Sequence, residues 1–205
     1  SLSISTGPKH AVELAAFAAE AGFSPIIAAG GDGTIGDVVN GIARVRGEQA
    51  MGVIGIMPLG TANDLAFNLG IPLNLREAAQ VIAAGKTRRI DMGNVNGVYF
   101  ANNSAIGLEP YVTMKQVKID WISGVPRYLV AAVQGILDHP SWKAVVEWDD
   151  GSYNGPLSLV SVGNGPRTGG LFYMSPHADV SDGKLTFVLA YRPTRLSTFA
   201  ILPKT

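Results

Sequence analysis

The chain has 205 residues, 47% of them hydrophobic and 16% charged, and its 16 basic and 16 acidic side chains balance to a formal charge of zero. This composition predicts a folded protein with a sizeable core, and the lack of any basic block argues against nucleic-acid binding. The absence of cysteine excludes disulfides and thiolate metal sites. The apolar runs are too short to cross a bilayer and no signal core is present, so a cytoplasmic protein is predicted.

Helical and strand-like segments alternate over the first 92 residues. An alanine-rich helix is predicted over 11–21, with Gly22 as its stop, and Asn74 followed by Glu77 resembles a capping box. Short apolar runs at 25–29 and 52–57 predict buried strands. Such alternation predicts a parallel sheet with helices on its faces, an α/β domain over residues 1–92.

The pattern changes near Asp91. Asn96-Gly97 lies between two strand-like runs, which predicts a hairpin, and further strands are predicted over 142–149, 157–163 and 185–192. One helix is predicted over about 124–137. Residues 93–205 are therefore expected to form a second, mainly antiparallel domain. The abrupt start and end of the chain predict that it is truncated at both ends, so that a first strand and a C-terminal part are missing.

Two glycine-rich turns are the most informative motifs. Gly30–Thr34 reads Gly-Gly-Asp-Gly-Thr, follows a predicted strand and opens a predicted helix, a geometry that lets backbone N–H groups face a phosphate. Polar Asp37 and Asn40 follow one helical turn later. The alternative is a tight turn that needs glycine only for its backbone conformation. A dinucleotide fingerprint lacks its acidic residue about 20 positions on, and a Walker loop lacks its first glycine.

The second turn, Pro58–Asp64, reads Pro-Leu-Gly-Thr-Ala-Asn-Asp and also precedes a helix. Thr61 and Asn63 have side chains that can donate to phosphate or ribose oxygens, and Asp64 can bind a hydrated cation. Alternatively, these residue types act only as helix caps. Asp32, Asp64 and Asp91 all lie at predicted strand ends or in the turns after them, so they could converge on Mg²⁺; for Asp91 alone, a surface ion pair is the alternative.

Taken in order, these motifs, with Ile90-Asp91-Met92-Gly93 and Asp182-Gly183-Lys184-Leu185, resemble the diacylglycerol kinase catalytic-domain family. That family includes bacterial lipid kinases and the sphingosine and ceramide kinases; NAD kinases lack the second motif and are less similar. The resemblance implies an α/β nucleotide-binding domain followed by a β-sandwich domain, with ATP in the cleft. It also implies a catalytic Mg²⁺ near Asp32, Asp64 and Asp91.

The resemblance further implies a structural Mg²⁺ at Asp182 and the backbone carbonyls of Asp179 and Lys184. Together with the turn motifs, it predicts a set of nucleotide-contacting residues: Thr6, Gly30, Gly31, Asp32, Gly33, Thr34, Asp37, Asn40, Gly60, Thr61 and Asn63. The family usually has Asn-Glu where this chain has Gly36-Asp37. Its general base, a glutamate, would fall beyond Thr205.

The sequence thus predicts an ATP- and Mg²⁺-dependent lipid kinase that phosphorylates a lipid hydroxyl, with diacylglycerol as the leading substrate. The alternatives are a nucleotide-binding regulatory module without turnover and an NAD kinase. With no membrane span predicted, the enzyme is expected to meet its lipid transiently at the membrane surface. The oligomeric state stays open, with a homodimer among the options.

Overall fold

A computed structural model describes residues 1–47, 51–138, 140–191, 194 and 196. The chain forms two compact units. The first contains Ser1–Asn102 and, from much later in the chain, the segment Asp179–Lys184. The second contains Asn103–Ala178 and the described residues from Leu185 onward. The predicted boundary between residues 92 and 93 differs from this division, because the first unit also includes residues 93–102 and 179–184.

The first unit alternates helices and strands. Its elements are α1 (His10–Glu20), β1 (Ile26–Gly30), α2 (Asp32–Arg46), β2 (Ile54–Pro58), α3 (Asp64–Asn68), α4 (Leu75–Ala83), β3 (Gly93–Val95) and β4 (Val98–Phe100). Helix α4 begins where predicted, since the Asn74 side chain accepts hydrogen bonds from the N–H groups of Arg76 and Glu77.

Strands β1 and β2 run parallel, with Gly30 opposite Pro58 at their carboxyl ends. The apolar face of α2 packs into the core of this unit through Ile35, Val38, Val39 and Ile42, which are 0–7% exposed. These positions follow helical spacing, so one face of α2 is apolar and the other is polar. The parallel α/β architecture predicted for this part of the chain is confirmed.

The Asn96-Gly97 hairpin is also confirmed: β3 and β4 pair antiparallel, and both turn residues have positive φ. The prediction that Asp91 ends a strand is wrong. Residues 88–92 form no strand. The N–H of Asp91 donates instead to the carbonyl of Val180, at 2.7 Å, so it is not available to a regular ladder.

The second unit is built on an antiparallel sheet. Its elements are β5 (Asn103–Gly107), α5 (Leu108–Gln116), α6 (Gly124–Asp138), β6 (Trp142–Trp148), β7 (Gly151–Gly163) and β8 (Thr186–Tyr191). The long strand β7 pairs with β6 over its first half and with both β5 and β8 over its second half. The predicted antiparallel second part is therefore confirmed, although the predicted end of its last strand, Arg192, lies outside the described residues.

Helices α5 and α6 pack against each other beside this sheet. Val112 and Ile119 from the α5 side and Ala131 and Ala132 from α6 form a small buried cluster. None of the described helices is long and apolar enough to cross a membrane.

Candidate functional site

The two glycine-rich turns touch each other. Because β1 and β2 are parallel neighbours, the turns that follow them leave the same edge of the sheet, and the N–H of Leu59 donates to the carbonyl of Gly30 at 3.0 Å. A Cβ added to Gly31 would lie 3.0 Å from the Cα of Gly60. The turns thus meet backbone to backbone, and these two glycines are required by packing.

The amino terminus of α2 opens at this junction. Gly31 is its N-cap residue, in an extended conformation with no side-chain cap, and the first helical hydrogen bond runs from Ile35 N–H to Gly31 carbonyl. The N–H groups of Asp32, Gly33 and Thr34 therefore precede the helical ladder. The positive end of the helix dipole lies at the same place, which favours an anion.

Gly33 differs from the packing glycines. A Cβ at Gly33 would meet nothing within 4 Å, and the same is true of Gly36 one turn later. At Gly30, by contrast, a Cβ would clash with the Thr34 side chain. Neither Gly33 nor Gly36 has a positive φ. The fold therefore does not require glycine at these two positions, and the space beside them is open.

Asp32 joins the two turns. Its carboxylate accepts hydrogen bonds from the backbone N–H groups of Asp64, at 3.1 Å, and Leu65, at 2.9 Å. It thereby caps α3 in place of that helix's own N-cap residue, Asn63, which makes no side-chain cap. Asp64 is itself buried, with 4% exposure. Two of the three predicted carboxylates, Asp32 and Asp64, are therefore brought to the same junction.

The remaining polar residues of the second turn have different roles. Asn63 adopts the left-handed conformation with φ 50°, and its amide exchanges two hydrogen bonds with the backbone of Gly60, both at 2.8 Å. Asn63 therefore shapes the turn, and its amide is already engaged. Thr61 is exposed, so its hydroxyl is accessible to a ligand.

Asn40 is also used by the fold. Its side chain accepts from the N–H of Tyr99 and donates to the carbonyls of Tyr99 and Gly36, all at 2.8–2.9 Å. This bracket ties α2 to strand β4. Asp37, one turn earlier, forms an ion pair with Lys9 at 3.2 Å.

Thr6 lies in the exposed segment before α1. Its N–H donates to Nδ1 of His10 at 3.0 Å, and its hydroxyl lies 2.9 Å from the same nitrogen. The partners His10 and Tyr99 belong to no sequence motif, so neither could be recognised as a neighbour of a site residue from the sequence.

Asp91 and the segment Asp179–Lys184 form a second polar cluster in the first unit. The N–H of Gly183 donates to the Asp91 carboxylate at 2.6 Å, and Asp182 accepts from the N–H of Lys184 at 2.9 Å. Hydrogen bonds from the Ser181 hydroxyl and N–H, with a smaller contribution from the Arg88 guanidinium, lower the pKa of Asp179.

The described residues contain no group of three or more His, Asp or Glu side chains that could hold a metal ion. The carboxylates of Asp32, Asp64 and Asp91 do not form such a group of three in the described residues. Asp32 and Asp64 meet at the turns, whereas Asp91 is engaged by Gly183. The residues present do fit a polyphosphate, since the N–H groups of Asp32, Gly33 and Thr34 precede the helical ladder at the amino terminus of α2.

A cavity of about 760 Å³ lies elsewhere in the first unit, along β2 and the segment from Gly85 to Met92. Its lining is largely apolar, with Ile54, Ile56 and Ile82 among its residues, and includes none of the residues predicted to bind nucleotide or metal. The cavity and the junction of the two turns are therefore lined by different residues.

Comparisons with known proteins agree with this geometry. Residues 1–95 match the family model described as the diacylglycerol kinase catalytic domain, and residues 103–205 match the YegS C-terminal NAD kinase beta sandwich-like domain. A diacylglycerol kinase of Staphylococcus saprophyticus is 33% identical over 179 residues, which cover 85% of this chain and 57% of that protein.

Two further proteins show the same relationship. A Chromohalobacter salexigens protein named "Probable lipid kinase YegS-like" is 33% identical over 186 residues, 90% of this chain and 60% of that protein. The crystal structure of a diacylglycerol kinase from Bacillus anthracis superimposes with a TM-score of 0.76 at 25% identity, and the match covers 98% of this chain and 65% of that one.

The chain spans about 60% of the length of the curated relatives it matches. Both parts of the chain match the family in order: the α/β part contains the two touching turns, and the antiparallel part follows it. The chain therefore belongs to the diacylglycerol kinase catalytic-domain family.

Proposed function

We propose that the protein is an ATP- and Mg²⁺-dependent lipid kinase that transfers the γ-phosphate of ATP to a hydroxyl of diacylglycerol. The observation that carries this proposal is the amino terminus of α2 at the junction of the two turns, where three N–H groups precede the helical ladder and the space beside Gly33 is open. Glycine at a helical position costs about 1 kcal/mol relative to alanine. A bound phosphate group that needs close approach to the backbone explains why glycine occupies this position.

In this proposal the triphosphate lies against the N–H groups of Asp32, Gly33 and Thr34. Gly30, Gly31 and Gly60 let the two turns approach closely, and Thr61 donates its hydroxyl to the nucleotide. Asp37, Asn40, Asn63 and Thr6 support the site through the contacts described above. Asn40 and Asn63 do so as positioning residues, since their amides already hold the backbones of Tyr99 and Gly60.

The acids have separate proposed roles. Asp64 and Asp32 would hold the magnesium that accompanies the nucleotide, and that ion would neutralise phosphate charge. For Asp91, whose carboxylate accepts a hydrogen bond from Gly183 in the second polar cluster, we propose a supporting role as the third acid of the set. We also propose that the turn with Asp182 and the carbonyls of Asp179 and Lys184 holds a second, structural magnesium.

In the reaction, the lipid hydroxyl oxygen forms a bond to the γ-phosphorus as the bond from that phosphorus to the β-phosphate oxygen breaks. The products are ADP and a lipid phosphate, and the hydroxyl proton passes to a general base that we expect beyond Thr205. Rate enhancement is supplied by positioning and by charge stabilisation from the backbone dipoles. The names of the relatives, diacylglycerol kinase and lipid kinase, support the choice of acceptor.

The test is a transfer assay on the full-length gene product with labelled ATP, Mg²⁺ and a panel of acceptors. The panel contains diacylglycerol, ceramide, sphingosine and NAD. Labelled phosphatidic acid, lost on Gly33→Ala, is the expected result. Labelled NADP would identify an NAD kinase, and ATP binding without transfer to any acceptor would identify a regulatory module; either result overturns the proposal.

A further inference from the structure

The cavity of about 760 Å³ in the first unit is bounded by elements of that unit's core. It lies along β2, is also lined by residues of α2, α3 and α4 and by the segment from Gly85 to Met92, and is called here the β2 cavity. Its lining includes Ile35 and Leu65, each 2% exposed. On α4, Ile82 lies 3.5 Å from the position of a Cβ added to Gly55, so this helix packs directly on the strand. The cavity is thus formed by packed elements, and its volume lies within the range of about 300–1,000 Å³ that is typical of small-molecule sites.

The wall of the β2 cavity suits an aliphatic chain. Ile54, Ile71 and Met92 line it and are only half-buried, so part of their apolar surface stays accessible. None of the described residues that line the cavity is aromatic, so it offers no stacking surface to a nucleobase or another flat ring. An apolar wall also gives water few hydrogen-bond partners. A hydrocarbon chain is therefore the occupant that fits this wall best.

The charged residues that line the cavity are basic and lie close together in the chain. They are Lys86, Arg88 and Arg89, and no acidic residue lines the cavity among those that the structure describes. Arg88 pairs with Asp179 at 3.2 Å, whereas the ion pairs between described residues include neither Lys86 nor Arg89. Even when Asp91 and Asp179 are counted, three bases against two acids leave a net positive charge. Lys86 and Arg89 are exposed, so they can contact an anionic group that remains in water.

We infer that the β2 cavity binds a single-chain anionic amphiphile. The hydrocarbon chain lies along β2, and the carboxylate or phosphate at its end contacts Lys86 and Arg89. The aliphatic wall and the adjoining basic residues match the two parts of such a molecule, which is either a fatty acid or an alkyl phosphate. This site goes beyond the proposed function, because its lining includes none of the residues proposed to bind nucleotide or magnesium. The inference does not depend on kinase activity.

The first test is calorimetric titration of the full-length protein with dodecanoate and with monododecyl phosphate, each kept below its micellar concentration. Saturable binding of at least one of them is expected, and the tighter ligand identifies the preferred headgroup. Dodecyltrimethylammonium, which has the same chain but the opposite charge, should bind at least about tenfold more weakly. Decanoate should bind about tenfold more weakly than dodecanoate, because two fewer methylene groups are buried.

A substitution in the wall tests the position of the chain. Ile54→Phe places a larger side chain in the cavity and should weaken dodecanoate binding at least about tenfold. Ile106→Phe is the matched control, because Ile106 is 65% exposed on β5 and does not line the cavity. This control should bind dodecanoate as the wild type does.

A substitution among the bases tests the position of the headgroup. Arg89→Gln should weaken dodecanoate binding about threefold to fivefold and make it less sensitive to salt, because an exposed charge contributes modestly and is screened. Since Arg89 is exposed, this variant is expected to fold normally. Arg76→Gln is the matched control, because Arg76 is an exposed residue of α4 that does not line the cavity.

Methionine methyl resonances locate the bound chain. Met92 lines the cavity, whereas Met114 is 69% exposed on α5. In protein with isotope-labelled methionine methyl groups, dodecanoate should shift the Met92 resonance and leave that of Met114 unchanged. A shift of Met114 without a shift of Met92 would overturn the inference.

Three calorimetric results would also contradict a site for an anionic amphiphile. One is the absence of saturable binding of both anionic ligands to the full-length protein, whatever else then fills the cavity. Another is equal affinity for dodecanoate and dodecyltrimethylammonium. The third is wild-type affinity in both the Ile54→Phe and the Arg89→Gln variants.

Discussion

The carboxylate of Asp91 accepts a 2.6 Å hydrogen bond from the backbone N–H of Gly183, a residue 92 positions later in the chain. The same two segments are joined again by the bond from Asp91 N–H to the Val180 carbonyl. Two acidic motifs that are far apart in sequence therefore form one structural element. A substitution in either motif should therefore alter the structure of the other.

Substitutions at different glycines of the turn junction should affect either the stability of the protein or the binding of nucleotide. Gly60→Ala should destabilise the protein by about 1–3 kcal/mol, because its Cβ would collide with the Gly31 Cα and lie 2.8 Å from the Asn63 Oδ1. Gly33→Ala should leave stability unchanged or raise it by up to about 1 kcal/mol, since its Cβ meets nothing. Urea unfolding measures both.

The same Gly33→Ala variant should bind ATP at least tenfold more weakly by calorimetry, because the methyl group would occupy the space proposed for the phosphate. Nucleotide affinity equal to that of the wild type would show that the open space at Gly33 is not used for phosphate.

Asp32 should contribute to stability through the hydrogen bonds that it accepts and to activity through its charge. Asp32→Ala removes both acceptors for the Asp64 and Leu65 N–H groups, so the free energy of unfolding should fall by about 1–2 kcal/mol. Asp32→Asn keeps one acceptor and should retain most of the stability, while its lost negative charge abolishes turnover. An Asn variant with full kinase activity would assign Asp32 a purely structural role.

Asn40 should contribute to stability, because its hydrogen bonds connect α2 to β4. Asn40→Ala removes three hydrogen bonds, two of them to the backbone of Tyr99, with an expected cost of about 1–3 kcal/mol. Asn94→Ala is the comparison, since it removes only the exposed bond from Gly97 N–H and should cost less than about 1 kcal/mol. Thermal unfolding of both variants tests the ranking, and equal costs would contradict it.

The pKa of Asp179 should depend mainly on the hydrogen bonds that its carboxyl accepts from Ser181. Because Ser181 lowers the pKa of this carboxyl in the folded state, the resulting stabilisation is present above the ordinary carboxyl pKa. It is lost as the pH falls through the lowered folded-state pKa. Ser181→Ala should move the pKa upward, as followed by carboxyl-carbon NMR titration.

Arg88→Met should raise the same pKa by less, because the arginine charge is the smallest of the contributions that lower it. A larger shift from Arg88→Met than from Ser181→Ala would show that charge, and not hydrogen bonding, controls this carboxyl.

The sequence predicted those strands and turns that are marked by a short run of characteristic residues. The apolar runs before the glycine turns predicted the bounds of β1 and β2 to within two residues. Asn96-Gly97 marked the hairpin because only such residues readily adopt positive φ at both positions. The meeting of the two turns also followed from sequence, since parallel neighbours end at one edge of a sheet.

Long-range partners could not be predicted in this way. Nothing in the sequence around Asn40 indicates that its amide is held by Tyr99, 59 residues later. The predicted strand at residues 88–91 was wrong for a related reason, because the N–H of Asp91 is taken by Val180. A side chain that suits a ligand also suits a backbone group, and only the tertiary structure decides which one it contacts.

The membership of Asp179–Lys184 in the first unit has a consequence for biosynthesis. The ribosome must deliver the whole intervening stretch, Asn103–Ala178, before the segment that contacts Asp91 exists. The first unit is therefore incomplete during translation. Its last contacts form only after most of the antiparallel sheet has been synthesised. Synonymous codons that slow elongation before residue 179 should lengthen that interval and raise the exposure of the nascent chain to chaperones.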